Sequence, residues 1–194
     1  GRRVLTEHAE DTPKPRSKYS QNLNGQVPEY TYLHGRLSEV ESIHLALEQN
    51  RPIHVRGMPG IGKSTLARSI VQDLAHQGVT INWVQLDAYC DVTEAMNRMG
   101  IEAPQILDVE GYASLLEQQE VLLVFDDVHS ISSRHQASFS NLFQSLEQRK
   151  VPFMLLGRDR DTFSIEGEYV ELGPLKQEYA VELLDSELGE ERNS

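Results

Sequence analysis

The part of this sequence that most restricts its fold is a glycine-rich stretch at residues 57–65, which reads Gly-Met-Pro-Gly-Ile-Gly-Lys-Ser-Thr. Just before it, residues 52–56 contain Ile53 and Val55, β-branched residues that favour a strand. In residues 66–76, which follow it, apolar side chains recur at three- and four-residue spacing, the period of an amphipathic helix. The sequence therefore predicts a strand, a tight turn and a helix in direct succession.

A turn of this composition is suited to enclosing phosphate. Gly57, Gly60 and Gly62 lack side chains, so the turn can adopt conformations in which successive N–H groups point at one anion. The helix that begins near Lys63 adds unpaired N–H groups and the positive end of its dipole. Two glycines separated by four residues and followed by Lys and Ser form the phosphate-binding pattern called Walker A.

The residues that close this loop have separate expected roles toward a nucleoside triphosphate. Lys63 is expected to reach the β- and γ-phosphates. Ser64 offers a hydroxyl to Mg²⁺, and Thr65 is placed to bond the α-phosphate region. The whole loop is therefore predicted to bind nucleotide: Gly57, Met58, Pro59, Gly60, Ile61, Gly62, Lys63, Ser64 and Thr65.

A second apolar run ends in two carboxylates. Residues 121–125 read Val-Leu-Leu-Val-Phe, typical of a central parallel strand, and Asp126 and Asp127 follow. In a sheet that also carries the loop, the carboxyl end of this strand lies beside the phosphates. Asp126 would then hold Mg²⁺, chiefly through water, and Asp127 would orient or deprotonate the attacking water. The alternative is a pair of ordinary carboxylates capping a strand end.

A third strand end carries a basic residue. Residues 153–156 are apolar, and Arg158 lies just beyond them, where it could contact the γ-phosphate. The alternative is a solvated loop in which Arg158 pairs with Asp159 or Asp161.

Predicted strands and helices alternate along the chain. Strands are expected at residues 52–56, 79–87, 121–125, 153–156 and 169–172, and helices at 38–49, 66–76, 94–99, 109–119 and 133–149, with Pro104 and Gly111 as breaks. This alternation predicts an α/β fold, a three-layer P-loop NTPase sandwich with a mainly parallel five-stranded sheet. Residues 1–28 are predicted to be a linker or disordered arm, and residues 29–175 the nucleotide-binding domain.

Charge and composition argue against several classes of function. Thirty acidic and 18 basic residues give a formal net charge of −12, which would repel nucleic acid and anionic membrane surfaces. Cys90 is the only cysteine, so no internal disulfide can form, and no apolar run is long enough for a signal peptide or membrane span. We expect a cytoplasmic protein without nucleic-acid or membrane partners, whose only metal is Mg²⁺ carried with nucleotide.

Together, these segments resemble the NB-ARC, or apoptotic-ATPase, branch of the STAND signal-transducing ATPases. Residues 57–65 are similar to its phosphate loop, and residues 121–128 to its strand with two aspartates, the Walker B segment. Residues 154–161 are similar to its sensor segment, which usually carries Thr-Thr-Arg. Leu-Gly stands here in place of the threonines, so only the role of Arg158 is transferred.

The resemblance also implies a site for adenine. Residues 32–36 with Glu39 are similar to the segment that contacts the base in this branch, and Pro174 matches a proline that caps the base. Residues 176–194 are similar to the start of a helical subdomain, truncated here. The implied base-site residues are Leu33, His34, Gly35, Arg36 and Pro174.

By resemblance, the chain is expected to be the ATP- and ADP-binding core of a larger protein. It would act as a nucleotide-dependent switch with slow, Mg²⁺-dependent hydrolysis. The implied partners are effector and sensor domains of the same protein, with nucleotide-driven self-association as a further option. The implied catalytic residues are Lys63, Asp126, Asp127 and Arg158.

Other interpretations stay open. One is a scaffold that binds ADP or ATP without hydrolysing it. Another is an AAA+ ATPase of a DNA-handling machine, which needs an arginine finger, for which Arg160 is the candidate. A small-molecule kinase is disfavoured because no arginine-rich lid segment follows Asp127.

Three conspicuous residues are expected to be structural. Trp83 and Tyr89 are predicted to pack in the core or at the rim of the sheet, and Cys90 to be an inert apolar group.

Overall fold

The structure is a computed structural model that describes residues 35–103, 107–158 and 163–175. The predicted arm at residues 1–28 and the predicted helical segment at residues 176–194 lie outside the described residues. Helices and strands alternate in the order α1 (Leu37–Glu48), β1 (Ile53–Gly57), α2 (Lys63–His76), β2 (Thr80–Gln85), α3 (Val92–Arg98), α4 (Val109–Glu117), β3 (Val121–Asp126), α5 (Ser133–Gln148), β4 (Phe153–Gly157) and β5 (Glu168–Leu172).

The five strands form one sheet in the order β2-β3-β4-β1-β5, and every neighbouring pair is parallel. The α/β sandwich and five-stranded sheet predicted from the sequence are therefore confirmed. Strand β4 lies between β1 and β3, so the phosphate loop and the two aspartates follow strands that are two positions apart. Since all strands run the same way, their carboxyl ends meet at one edge of the sheet.

Helices cover both faces of the sheet. On one face, α1 and α2 pack on β1 and its neighbours through a cluster that includes Ile53, Val55 and Ile70. On the other face, α3, α4 and α5 enclose a larger cluster centred on Phe143. The Phe143 ring lies 5.1 Å from Phe125 and 5.6 Å from Phe153 between ring centroids, the spacing of favourable aromatic pairs. The burial of both faces explains why the central strands are apolar without alternation.

Two local expectations were wrong. Gly111 does not break a helix, because it lies in the first turn of α4, where its N–H donates to the N-cap Asp108 at 2.8 Å. Tyr89 does not pack against the sheet, because it is 84% exposed in the loop after β2.

Two other expectations are confirmed. Trp83 packs partly buried against the α2 face of the sheet, and Cys90 is fully buried. Burial raises the pKa of the Cys90 thiol to about 11, so it stays protonated and unreactive at neutral pH. Among the described residues, no helix combines the length and apolar character that crossing a membrane requires.

Candidate nucleotide-binding site

A cavity of about 240 Å³ opens at the carboxyl edge of the sheet. Six of its lining residues come from the loop between β1 and the first turn of α2, and the other two follow β3 and β4. Its lining residues are Pro59, Gly60, Gly62, Lys63, Ser64, Thr65, Asp127 and Arg158. The structure thus brings three separate predicted segments to one cavity.

The loop needs glycine at two positions for different reasons. Gly62, the N-cap of α2, has φ 99°, a left-handed conformation that side chains disfavour. Gly57 lies so close to β5 that a Cβ there would stand 2.7 Å from the carbonyl oxygen of Leu172. Met58 and Ile61, between these positions, are also predicted loop residues, and the Ile61 N–H donates to the Met58 carbonyl at 3.3 Å.

Lys63 points its ammonium back into the loop. The side chain is largely covered, with the residue 8% exposed, and Nζ donates to the carbonyl oxygens of Gly57 and Met58, both at 2.9 Å. Burial and then the charge of Arg158 lower the pKa of Lys63, while nearby carboxylates oppose this shift. The ammonium is therefore already held at the cavity wall by the backbone of its own loop.

Asp126 and Ser64 form a pair of oxygen ligands beside the loop. Asp126 is 5% exposed, and its Oδ1 accepts hydrogen bonds from Ser64 Oγ at 3.2 Å and from the Asp127 N–H at 2.9 Å. Burial raises the pKa of Asp126, and the neighbouring Asp127 adds to that shift. One carboxylate and one hydroxyl fit Mg²⁺, which prefers oxygen ligands and takes few of them from protein when it accompanies phosphates.

Asp127 adopts an unusual backbone conformation at the end of β3. Its φ of 59° and ψ of 40° are left-handed, which Asp tolerates better than most residues. Its carboxylate meets two side chains that sequence reasoning missed. Gln85 Nε2 donates to Oδ2 at 3.1 Å, and His129 Nδ1 lies 3.7 Å from Oδ1.

Both missed residues left a weak signal in the sequence. His129 comes two positions after Asp127, and a tight turn after the strand would bring it back toward the carboxylate. Gln85 ends an edge strand whose pairing partner could not be read from the sequence, and its Cα is in register with that of Asp126. The register of β2 on β3 therefore decides that contact.

Arg158 follows β4 and lines the same cavity, whereas its predicted contact with the γ-phosphate stays a prediction. The residue before it is Gly157, where a Cβ would lie 2.8 Å from Val128 Cγ2 and 3.1 Å from His54 Nε2. The NB-ARC sensor segment usually has a threonine at this position. A threonine in place of Gly157 would not fit without displacing these neighbours. Asp159 and Asp161, the alternative partners of Arg158, lie outside the described residues.

The described residues of the predicted base site are not among those that line this cavity. Arg36 is 9% exposed, and its guanidinium donates to the Gly173 carbonyl at 2.6 Å and to Glu39 at 3.0 Å. It thus ties the start of α1 to the chain just before Pro174. Gly35 and Pro174 are described but do not line the cavity, and Leu33 and His34 lie outside the described residues. A role of these residues in binding adenine stays a prediction.

A parallel sheet of this order, with a phosphate loop between β1 and α2, defines the α/β fold of the P-loop ATPases. The NB-ARC domain family matches residues 34–194, most of the chain. The chain therefore belongs to the NB-ARC family.

Solved structures with similar folds include a signal-transducing ATPase and an AMPPCP-bound DnaA. A signal transduction ATPase with numerous domains (STAND) that carries a tetratricopeptide repeat sensor, from Pyrococcus horikoshii, superposes with a TM-score of 0.62 at 18% identity, over 82% of this chain and 26% of that one. AMPPCP-bound DnaA from Aquifex aeolicus gives a TM-score of 0.60 at 18% identity, over 87% of this chain and 56% of that one. At this identity the likeness concerns the fold alone.

One curated sequence also matches. Replication factor C subunit 1 of Oryza sativa subsp. japonica is 25% identical over 116 residues, which is 57% of this chain and 11% of that protein. The chain thus spans only a small part of this relative and little more than half of the DnaA structure.

Proposed function

We propose that this chain is the nucleotide-binding core of a STAND-type signal-transducing ATPase, a cytoplasmic switch that binds ATP or ADP with Mg²⁺ and hydrolyses ATP slowly. The observation that carries the proposal is the single cavity wall shared by Lys63, Asp127 and Arg158. One cation of the loop, one carboxylate and one cation from a different strand are the groups that phosphoryl transfer to water requires. Membership of the NB-ARC family supports the same conclusion.

Each group has a distinct task in the proposed reaction. Lys63 and the loop N–H groups bind the phosphates, and Arg158 stabilises negative charge on the γ-phosphate oxygens. Asp127 orients a water molecule and accepts its proton as the water oxygen bonds to the γ-phosphorus. The bond from that phosphorus to the bridging oxygen breaks, and ADP leaves with that oxygen. Ser64 and Asp126 would hold Mg²⁺, which neutralises phosphate charge when bound.

The switch would depend on a difference in affinity between two conformations. A nucleotide can shift a conformational equilibrium only if it binds the two states unequally. Arg158 lines the cavity together with Lys63, and in this proposal it contacts the γ-phosphate, a group that ATP has and ADP lacks. It is therefore the described residue best placed to distinguish the two nucleotides and to pass the difference on to effector or sensor domains.

The test is release of γ-phosphate by the 194-residue chain with Mg²⁺ and saturating ATP. Wild type is expected to turn over slowly, and Asp127→Asn should reduce turnover at least about 100-fold, the usual contribution of a general base. Lys63→Ala should abolish it, because the ammonium that stabilises the negative charge of the β- and γ-phosphates is lost. Turnover that survives both substitutions would show that the activity is not from this site.

A scaffold that binds nucleotide without hydrolysis predicts a different result. Wild type would then retain ADP through purification and release no phosphate above the Lys63→Ala background. The already satisfied Lys63 ammonium is compatible with such a resting state, so the same assay separates the two proposals.

A DNA-handling AAA+ ATPase is the second candidate, favoured by the matches to DnaA and to replication factor C subunit 1. The net charge of −12 opposes it, because a DNA backbone would be repelled. Fluorescence anisotropy with single- and double-stranded DNA at low salt, with and without ATP, is expected to show no binding. Salt-sensitive binding that Lys63→Ala removes would favour the AAA+ assignment.

A further inference from the structure

The turn after β3 carries a histidine that faces the side chain of Asp127. His129 belongs to a short 3-10 turn at Val128–Ser130, and its side chain is only 18% exposed. Its Nδ1 is shielded from solvent and has no hydrogen-bond partner. Buried polar nitrogens are normally paired, so one that lies unpaired 3.7 Å from a carboxylate oxygen calls for an explanation.

The turn holds His129 and Asp127 in a fixed relation. The Ser130 N–H donates to the Asp127 carbonyl at 2.8 Å, and the Ile131 N–H donates to the Val128 carbonyl at 3.3 Å. Val128 is buried at the base of the turn and anchors it in the core. These backbone hydrogen bonds fix the position of the His129 backbone relative to Asp127, so the fold keeps the two side chains close together.

The two oxygens of Asp127 are in different situations. Oδ2 already accepts a hydrogen bond from Gln85 at 3.1 Å. Oδ1 faces His129 at 3.7 Å, which is too long for a hydrogen bond. Catalytic hydrogen bonds often reach their short, aligned geometry only when substrate is bound. Each carboxylate oxygen can accept two hydrogen bonds, so both contacts leave room for a water molecule.

We propose that His129 is a positioning residue for Asp127. In the ATP-bound state the Nδ1–H of His129 donates to Oδ1 of Asp127 and fixes the carboxylate for water activation. The inference rests on the proposed hydrolytic function. A general base that is oriented by a third group is the usual arrangement of hydrolytic sites. With Gln85 on one oxygen and His129 on the other, the carboxylate is held from two elements at once.

The surroundings of His129 favour the neutral form of its ring. Burial and then Arg158 lower its pKa, Lys63 adds to this effect, and Asp127 opposes it. A neutral ring has a single N–H, which must then be on Nδ1 to donate to Asp127.

The decisive variants exploit the shapes of the amide side chains. Asn can place its NH₂ near the position of Nδ1, Gln can place its NH₂ near Nε2, and Leu offers no donor at similar size. His129→Leu is expected to lower kcat about tenfold, part of the usual contribution of a general base, with KM and ADP affinity within about twofold of wild type. His129→Asn should recover kcat to within about threefold of wild type, whereas His129→Gln should behave like Leu.

Two outcomes separate this inference from the function on which it rests. If Asp127→Asn is inactive while His129→Leu turns over like wild type, His129 has no positioning role and the proposed function stands. If Asp127→Asn is as active as wild type, the catalytic assignment fails and the inference fails with it. A rescue by Gln but not by Asn also overturns it, because the donor would then be Nε2.

A second measurement does not depend on turnover. Nitrogen-15 NMR of the wild-type chain, assigned with His129→Asn, reports which ring nitrogen carries the proton. With a non-hydrolysable ATP analogue and Mg²⁺, Nδ1 should be protonated, and its resonance should move when Asp127→Asn is introduced. Protonation at Nε2 alone in that complex contradicts the inference even if the chain proves unable to hydrolyse ATP.

Discussion

The two halves of the candidate site are built in different ways. The phosphate loop is one continuous stretch whose key cation, Lys63, is held by carbonyl groups five and six residues earlier. The opposite wall combines Asp127 after β3 with Arg158 after β4, and Gln85 of β2 supports Asp127. The first half is specified locally, whereas the second exists only because three strands pair in one register.

This difference has an energetic consequence. The loop depends on backbone conformations that local sequence sets, above all at Gly62. The strand-end wall depends on close packing at its base, where Gly157, Val128 and His54 leave no space for an added methyl group. We therefore expect loop substitutions to change nucleotide affinity, and substitutions at the strand ends to change stability or turnover.

The largest expected effect is on ADP affinity, which should respond to a substitution in the phosphate loop but not to one in the strand-end wall. Lys63→Ala should weaken ADP binding about 10- to 100-fold, since hydrogen bonds to a charged group contribute about 1.5–3 kcal/mol. Asp127→Asn should leave that affinity within about threefold. Calorimetry with ADP and Mg²⁺ measures both, and Lys150→Ala, an exposed lysine at the other end of the strands, is the control. Equal losses for Lys63→Ala and Asp127→Asn would mean that the halves do not act separately.

A smaller effect is expected at the base of the strand-end wall. Gly157→Ala should destabilise the fold by about 1–3 kcal/mol, because the added Cβ overpacks against Val128 and His54. Gly173→Ala is the matched control, since a Cβ there meets nothing within 4 Å. Chemical denaturation compares the two, and His54→Ala should recover part of the loss in the Gly157→Ala background. A neutral Gly157→Ala would argue that this end of β4 is loosely packed.

The smallest expected effect is the dependence of stability on pH that the buried His54 contributes. Burial, and then the charge of Arg56, lower the pKa of His54 to about 3 from an ordinary 6.5. Between these values the unfolded chain binds a proton that the folded chain does not, so stability falls as pH falls below 6.5. From pH 6.5 to 5.5 this contributes a loss of about 1 kcal/mol.

Denaturation of wild type and His54→Leu at both pH values isolates this contribution. The difference in stability between the two proteins should shift in favour of His54→Leu at the lower pH. A constant difference would indicate that His54 binds a proton as readily in the folded protein as in the unfolded one, and that its surroundings are more polar than the packing implies.

How much of the site could be predicted from the sequence also differs between the phosphate loop and the strand-end wall. Residues 57–65 and the apolar run at residues 121–125 are continuous signals, and the structure has the expected loop and strand there. The roles of Gln85 and His129 could not be read in this way, because their significance depends on distances to Asp127. The failures at Gly111 and Tyr89 have a related cause. Helix capping by Asp108 outweighed the poor helix propensity of glycine, and Tyr89 lies in a loop that turns its ring to solvent.

By itself, the sequence determined the phosphate loop, the alternation of strands and helices, and the identity of the charged groups that end β3 and β4. Those features depend on interactions between residues close together in the chain, through glycine conformations, side-chain periodicity and helix ends. Only the tertiary structure decided that β4 lies between β1 and β3, that Gln85 and His129 flank Asp127, and that Gly157 has no room for a side chain. These contacts depend on strand order and register, which many distant residues set together through packing.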